Sequence, residues 1–217
     1  MMLHCLDLGL IDYTEALALQ EELVSKRWKE EIDDTLLMLE HPPVFTLGRG
    51  GNPQNVLQPG AVPVHRVGRG GDVTFHGPGQ LVGYPIIHLA AHGRDVHAYL
   101  RGLEKVLIAM LARYGIAARQ QTGLTGVWVG EQKIASIGVG VRRWVTYHGF
   151  ALNVAPNLAF FRDIVPCGLA GVRMTSMAAI LSQSITVGEI KPLVAEIFAR
   201  FFGYEDCIWQ NNYSANW

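Results

Sequence analysis

Residues 69–86 read RGGDVTFHGPGQLVGYPI, and no other stretch of the chain is as informative. The first eleven of these residues contain four glycines, a proline, a histidine, an arginine and an aspartate around the short β-prone run Val73 to Phe75. Glycine adopts positive φ and lets a backbone approach a ligand closely, which other residues do only at a cost. The stretch therefore predicts a strand followed by a ligand-contacting loop, with His76 presented at their junction. A tight hairpin with an incidental histidine is the alternative.

The composition predicts a globular protein with an extensive interior. Of the 217 residues, 49% are hydrophobic and 17% are charged. A chain of this length can form the core of one large domain or of two small ones. The net charge of -1 gives no general reason to expect nucleic acid or a membrane surface as a partner. No apolar run approaches the ~18 residues that span a bilayer, and no secretory signal is visible in the sequence.

The three cysteines, Cys5, Cys167 and Cys207, are an odd and scattered set. They predict neither a disulfide framework nor a metal site, so we treat Cys5 and Cys207 as structural and expect the reducing cytosol as the compartment. An organellar protein without its transit segment is the alternative. The eight histidines form no HExxH motif or closely spaced Cys/His set, and the chain lacks GxxxxGK[ST]. Both absences disfavour metal-dependent and nucleotide-hydrolysing enzymes.

Hydrophobic periodicity and turn signals predict an α+β fold. The predicted helices cover residues 12–31, 96–114, 177–181 and 187–202. The predicted strands cover residues 3–8, 35–40, 44–47, 64–67, 73–76, 81–87, 116–119, 126–129, 133–142 and 147–154. Many strands, few long helices and no regular βαβ alternation indicate a mostly mixed or antiparallel sheet.

Pro166-Cys167-Gly168 is a candidate nucleophile turn. Proline fixes φ before the cysteine and glycine removes bulk after it, so the sulfur could face a cleft while the following N–H groups stay open. That arrangement suits a thiolate nucleophile with nearby amides for an oxyanion. An isolated cysteine is more often a small buried hydrophobe, and both interpretations stay open on spacing alone.

Lys133 opens the run KIASIGVGV, whose small and apolar residues predict a buried strand. Such a lysine either snorkels to solvent, which is the commoner outcome, or lies beside a partner. If its ammonium lies near Cys167, the positive charge favours the thiolate and the amine can shuttle protons. A third cluster, YHGFALN at residues 147–153, contains His148, which is either a ligand contact or a hydrogen-bonded core histidine.

With these residues in view, the chain resembles the lipoyl(octanoyl) transferases, the octanoyl-[acyl carrier protein]:protein transferases of lipoate synthesis. The resemblance extends over nearly the whole length and rests on five motifs in order. The motifs are EHPPVFTLG (40–48), RGGDVTFHGPGQLVGYP (69–85), TGVWVGEQKIASIG (125–138), HGFALNV (148–154) and IVPCGL (164–169).

The resemblance implies a single α+β domain over residues 1–217, related to biotin and lipoate protein ligases, with a mixed or antiparallel sheet flanked by helices. A cysteine matching Cys167 takes the octanoyl group as a thioester, and a lysine matching Lys133 completes a Cys/Lys dyad. Substrate contacts are implied on three segments. They are Arg69, Gly70, Gly71, Asp72, Val73, Thr74, Phe75 and His76, then Ser136, Ile137 and Gly138, then Gly149, Phe150 and Ala151.

The resemblance also implies the partners. Octanoyl-acyl carrier protein is the donor, and the acceptors are lipoyl domains of 2-oxoacid dehydrogenase E2 subunits and the glycine cleavage H protein. It implies no cofactor and no metal, no nucleic acid or membrane partner, and a cytoplasmic monomer. For an acidic carrier we expect a basic docking rim, with a solvated face as the alternative. The rim comprises Arg142, Arg143, Arg162 and Arg173.

The chain departs from the family pattern at Asn157, where many relatives have aspartate, and around Thr175 after the PCG turn. An octanoyl group needs an apolar slot, since burying roughly seven methylene or methyl groups at ~0.8 kcal/mol each supplies on the order of 5 kcal/mol. We expect Gly138, Gly149 and Ala151 to leave room for it. The rival hypotheses are an ATP-dependent lipoate or biotin protein ligase, a non-catalytic acyl-carrier-binding protein and, more weakly, a thioesterase.

Overall fold

The computed structural model describes residues 1–210, which form twelve strands and four α-helices. The strands are β1 (Leu3–Leu10), β2 (Thr35–Glu40), β3 (Val44–Leu47), β4 (Val64–Arg66), β5 (Val73–His76), β6 (Gln80–Ile86), β7 (Arg119–Gln121), β8 (Leu124–Val129), β9 (Gln132–Arg142), β10 (Val145–Asn153), β11 (Arg173–Met174) and β12 (Cys207–Gln210). The helices are α1 (Tyr13–Trp28), α2 (Val96–Arg113), α3 (Met177–Leu181) and α4 (Val187–Phe202).

A large mixed sheet forms the centre of the molecule. Its strand order is β12-β1-β2-β6-β10-β9-β8-β7, with β11 paired to β9. β1 runs parallel to both β12 and β2, and β11 runs parallel to β9, whereas the other pairs are antiparallel. The predicted α+β class with a mixed sheet flanked by helices is therefore confirmed.

The large sheet is covered by helices on both faces. In β2, Leu36 and Met38 point toward the cluster that contains α2 and α4, whereas Leu37 and Leu39 point toward α1. Successive side chains of a strand alternate between the faces, so a strand buried on both sides has an unbroken apolar sequence. This explains why TLLMLE shows no polar alternation although it is a strand.

A smaller sheet of three strands, in the order β4-β3-β5, carries its own apolar cluster. Phe45 of β3 and Phe75 of β5 pack against Phe161 and Ile164. The segment from Leu158 to Gly168 is thereby held against the small sheet, and this segment ends in the turn that contains Cys167.

The C-terminal part of the described chain was not predicted. β12 pairs with β1, and this pairing brings Cys5 and Cys207, which are 202 positions apart, into a disulfide. The expectation that the cysteines form no disulfide framework is wrong for these two, because a parallel pairing between distant segments leaves no local pattern. Since disulfides are uncommon in reducing compartments, the cytoplasmic location stays a prediction. The sequence from Tyr204 onward is polar and aromatic and predicts no role, and its residues 211–217 lie outside the described residues.

None of the helices within residues 1–210 combines the length and the apolar character that crossing a bilayer would require.

Candidate active site

A cavity of about 210 Å³ lies where α1, the large sheet and the small sheet meet. Residues from α1, from five strands (β5, β6, β8, β9 and β10), from the loop before β5, from the β7–β8 turn and from the Cys167 turn line it. They are Tyr13, Arg69, Gly71, Asp72, Thr74, His76, Tyr84, Gly123, Leu124, Thr125, Lys133, Ser136, Ile137, Gly138, His148, Gly149, Phe150, Ala151, Cys167 and Leu169. Most of the site residues predicted from sequence are therefore brought together.

Three predicted substrate contacts, Gly70, Val73 and Phe75, do not line the cavity. Val73 and Phe75 alternate with Thr74 along β5, so their side chains face the apolar cluster of the small sheet. Gly70 uses its N–H to donate to the carbonyl of Val139 at 2.9 Å. These three residues support the backbone of the loop without contacting the cavity.

Cys167 lies in a tight turn at the mouth of this cavity. Its φ of 57° and ψ of 19° belong to the left-handed region, which few non-glycine residues adopt because it costs them energy. Cys167 is half-buried and is the free cysteine among residues 1–210. The turn thus presents a single thiol to the cavity.

Lys133 extends from β9 toward this thiol. Its Nζ lies 3.1 Å from Sγ of Cys167 and donates to the carbonyl of Thr125 at 2.9 Å. The residue is only 2% exposed, so the snorkelling alternative is excluded. The backbone of Lys133 is fixed as well, because its carbonyl accepts from the N–H of Thr175 at 2.9 Å.

Asp72 and the loop around Asn55 hold the Cys167 turn in place. One oxygen of the Asp72 carboxylate accepts from Nδ2 of Asn55 at 2.7 Å and lies so close to Gly168 that a Cβ there would approach it to 2.7 Å. The carbonyl of Asn55 in turn accepts from the N–H of Val165 at 2.7 Å. Glycine at position 168, with a φ of +69°, is therefore required by both space and backbone conformation.

The expected open amides after Cys167 are absent from the site. The N–H of Gly168 donates to the carbonyl of Val165 at 2.9 Å, and the N–H of Leu169 donates to that of Pro166 at 3.1 Å. The turn closes on itself and consumes both donors, so the predicted oxyanion amides are wrong. The hydroxyl of Ser136 lines the cavity, with its Oγ 3.9 Å from Sγ of Cys167.

The predicted position of His76 at the end of a strand is confirmed, and the residue lines the cavity, but the expectation that it is presented rather than buried is wrong. His76 is the last residue of β5 and only 6% exposed, with its Nδ1 2.8 Å from Oε1 of Gln80. It belongs to a buried group with His41 and His148, close to Tyr13 and Tyr84. The Nε2 atom of His148 has no hydrogen-bond partner among the described residues.

Burial controls the charge of these histidines. It lowers the pKa of His41 to about 4, lowers that of His148 to about 3 with help from Arg69 and Arg49, and holds that of His76 well below 6.5. All three are therefore neutral at pH 7. Burial likewise raises the pKa of Tyr13 to about 12. Arg69 supplies the fixed positive charge in this part of the cavity, where it donates to the carbonyl of Thr46 at 2.6 Å.

The glycines expected to leave a slot open have a different role. A Cβ at Gly149 would overlap the carbonyl oxygen of Gly83 in β6, and one at Gly138 would lie 3.0 Å from that of Gly70. Both positions are glycine because another backbone passes close by. The apolar wall comes instead from larger side chains together with Ala151. These side chains are Leu124, Ile137, Phe150 and Leu169.

The four arginines of the expected docking rim do not form one surface. Arg142 is the last residue of the 11-residue strand β9, and Arg143 follows it in the hairpin turn. Arg173 pairs with Gln132 at the opposite end of β9. At ~3.3 Å per residue the two ends are roughly 30 Å apart. Arg162 and Arg173 share a groove of about 590 Å³ beside the Cys167 turn.

Several lining residues were not predicted. Tyr13 lies in an ordinary amphipathic helix and Tyr84 in a buried strand. In the sequence, only their phenolic oxygens distinguish them from core residues. The Thr125 carbonyl is a backbone group and leaves no trace in the sequence.

Asn157 and Thr175, whose roles were open, are structural: Asn157 accepts from the N–H of Ala159 at 3.0 Å, and the carbonyl of Thr175 accepts from Asn153 at 2.9 Å.

Comparisons with known proteins find relatives over most of the chain. The family of lipoyl protein ligase A/B catalytic domains matches residues 12–199. The octanoyltransferase of Geobacter metallireducens is 55% identical over 192 residues, covering 88% of this chain and 90% of that protein. The octanoyltransferase of Gloeobacter violaceus is 48% identical over 199 residues, covering 91% and 89% respectively.

Solved structures show the same fold at low identity. A lipoate protein ligase described as putative, from Thermoplasma acidophilum, superimposes with a TM-score of 0.76 at 13% identity, covering 98% of this chain and 89% of that one. The biotin protein ligase of Aquifex aeolicus gives a TM-score of 0.53 at 12% identity, covering 94% and 69%. At such identities the likeness concerns the fold alone.

The buried histidines predict how stability depends on pH. A histidine whose pKa is lower in the folded chain binds its proton first in the unfolded chain, so acid favours unfolding from about pH 6.5 down to the folded value near 4. Each such histidine contributes at most about 1.4 kcal/mol per pH unit in that window. In urea unfolding, the free energy of unfolding should therefore fall as the pH is lowered from about 6.5 to 4.5, and it should fall less steeply in His148→Asn. A free energy that stays constant or rises as the pH is lowered would contradict the neutral state of these residues.

Proposed function

The chain belongs to the family of lipoyl protein ligase A/B catalytic domains, and from this premise we propose that it transfers an octanoyl group through a thioester on Cys167. It is an octanoyltransferase of protein lipoylation, as its relatives at about 50% identity are. The observation that carries the proposed chemistry is the 3.1 Å contact between Nζ of Lys133 and Sγ of Cys167 at the cavity mouth. The donor is an octanoyl-acyl carrier protein, and the acceptor is the lysine of a lipoyl domain.

The first half-reaction makes the acyl-enzyme. The ammonium of Lys133 favours the thiolate of Cys167, which attacks the donor thioester carbonyl. The hydroxyl of Ser136 is close enough to donate to the oxyanion that develops there. When the intermediate collapses, the donor sulfur leaves and takes a proton from Lys133, which becomes a neutral amine.

The second half-reaction restores the dyad. The amine of the acceptor lysine attacks the Cys167 thioester and becomes positively charged as the new C–N bond forms. Neutral Lys133 accepts the surplus proton, and Cys167 departs as a thiolate. Ammonium and thiolate are both regenerated, and conversion of a thioester into an amide provides the driving force, so the cycle balances without ATP.

The cavity supplies a place for the octanoyl chain. Its apolar wall consists of Leu124, Ile137, Phe150, Ala151 and Leu169. The far side is lined by the rings of Tyr13, His76 and His148, and these rings limit how deep a chain can extend. Neutral imidazoles matter here because a charged one beside an alkyl chain would add a large desolvation cost.

The acyl-enzyme is the direct test of this function. We expect intact-protein mass spectrometry to show the gain of one octanoyl group after mixing with octanoyl carrier protein, because Cys167 is free and placed against Lys133. The adduct should be released by hydroxylamine and should move to a lipoyl domain when one is added. Cys167→Ala should show neither event.

Other outcomes identify the rival functions. Octanoylation of the lipoyl domain from octanoic acid and ATP alone would indicate a ligase. Release of free octanoate without transfer would indicate a thioesterase. Donor binding that is identical in the parent and in Cys167→Ala, with no adduct in either, would indicate a carrier-binding protein.

We assign the donor's docking site to the groove between Arg162 and Arg173. Leu169 lines both this groove and the cavity, so the groove adjoins the cavity at the Cys167 turn. The two arginines are its charged lining residues, and the others are apolar or neutral. Each arginine is at most six positions from Cys167 along the chain, a distance that cannot exceed roughly 20 Å. An anionic phosphopantetheine arm and an acidic carrier complement such a groove.

Charge reversal separates this docking site from the distant hairpin. We expect Arg162→Glu/Arg173→Glu to raise the KM for octanoyl carrier protein roughly tenfold at low salt, with a smaller effect at high salt. Acylation by octanoyl-pantetheine, which has neither phosphate nor protein, should keep its rate. The matched control is Arg142→Glu/Arg143→Glu. An equal effect of the control, or an equal loss with octanoyl-pantetheine, would refute the assignment.

A further inference from the structure

A carboxylate that the proposed chemistry does not use lies behind Lys133. Glu104 stands on the apolar face of α2 and is fully buried, at 0% exposure. Its Oε2 accepts from Arg101 and from Gln120, both at 2.7 Å, and its Oε1 accepts from the N–H of Gly126 at 2.9 Å. A buried charge is retained only with such partners. One of these partners, Gly126, shares a peptide group with Thr125, whose carbonyl accepts from Lys133.

The contact to Gly126 and the contact to Lys133 use the two ends of one peptide group. The Thr125–Gly126 peptide donates its N–H to Glu104 and accepts Nζ of Lys133 at its carbonyl, at 2.9 Å. Because a peptide group is planar, fixing its N–H also fixes the direction of its C=O. Glu104 therefore determines where the acceptor of the Lys133 ammonium points.

The backbone at Gly126 is built for this arrangement. Its φ is +129°, and a Cβ there would lie 2.5 Å from Cε of Lys133. The register between β8 and β9 shifts nearby, between Val127 and Trp128. This irregularity lets the peptide turn out of the regular sheet pattern, so that its C=O faces Lys133 while its N–H faces α2.

We propose that Glu104 is a positioning residue for the dyad, acting through the Thr125–Gly126 peptide. A carboxylate on the N–H end of a peptide strengthens the carbonyl as an acceptor, since hydrogen bonds in series polarise one another. A stronger acceptor holds the Lys133 ammonium in place beside Cys167, where its positive charge favours the thiolate. The inference rests on the proposed role of the Cys167–Lys133 pair.

Alkylation of Cys167 by iodoacetamide measures this effect without any acyl substrate. We expect Glu104→Gln, which keeps the shape and removes the charge, to lower the alkylation rate at pH 7 about fivefold, the effect of one ordinary hydrogen bond. When the alkylation rate is plotted against pH, the midpoint of the curve should move to higher pH. Lys133→Met should give the larger effect, and Cys167→Ala sets the background.

Gln120→Ala is the matched control, because it removes one partner of Oε2 and leaves Oε1 on Gly126. It should lower the melting temperature yet leave the pH profile in place. An unchanged profile in Glu104→Gln, or an equal change in Gln120→Ala, overturns the inference and leaves the dyad intact. If Lys133→Met alkylates like the parent, the proposed function fails as well.

Discussion

The contact between the ammonium of Lys133 and the sulfur of Cys167 is the interaction on which the site depends. A lysine that is 2% exposed must find compensation for its lost hydration, and here the compensation comes from one sulfur, one carbonyl and the face of the Trp128 ring, 5.5 Å away. Removal of the sulfur leaves a buried cation short of a partner, and removal of the cation takes away the charge that the proposed chemistry uses. The same pair therefore carries the local packing and the proposed reactivity.

The two partners of this contact belong to different parts of the fold. Lys133 stands on β9 in the large sheet, whereas Cys167 ends a segment that packs on the small sheet. Asp72 and Asn55 hold the Cys167 turn on the small-sheet side, and the N–H of Gly70 connects the adjoining loop to β9 by donating to the carbonyl of Val139 at 2.9 Å. The cavity lies at this junction, so an acyl chain that enters it runs alongside both partners.

Much of the fold follows from local patterns, and much of the site does not. Several elements match their predicted bounds, since length, turns and apolar spacing define them. Among them are the strands Thr35–Glu40 and Val44–Leu47 and the helices Met177–Leu181 and Val187–Phe202. β12 and its disulfide to β1 depend on a pairing across 202 positions, which no local pattern encodes. The Cys167 turn was predicted, but the use of its N–H groups depends on the closed turn geometry. Glu104 is visible only as a charge within the apolar stripe of α2.

A crystal structure of the protein after reaction with octanoyl carrier protein tests the central claim most directly. The account predicts continuous density from Sγ of Cys167 into the cavity along Ile137 and Ala151, with Nζ of Lys133 still within hydrogen-bonding distance of the thioester and of the Thr125 carbonyl. An unmodified sulfur with the octanoyl group on another residue, or an acyl chain outside the cavity, would contradict it.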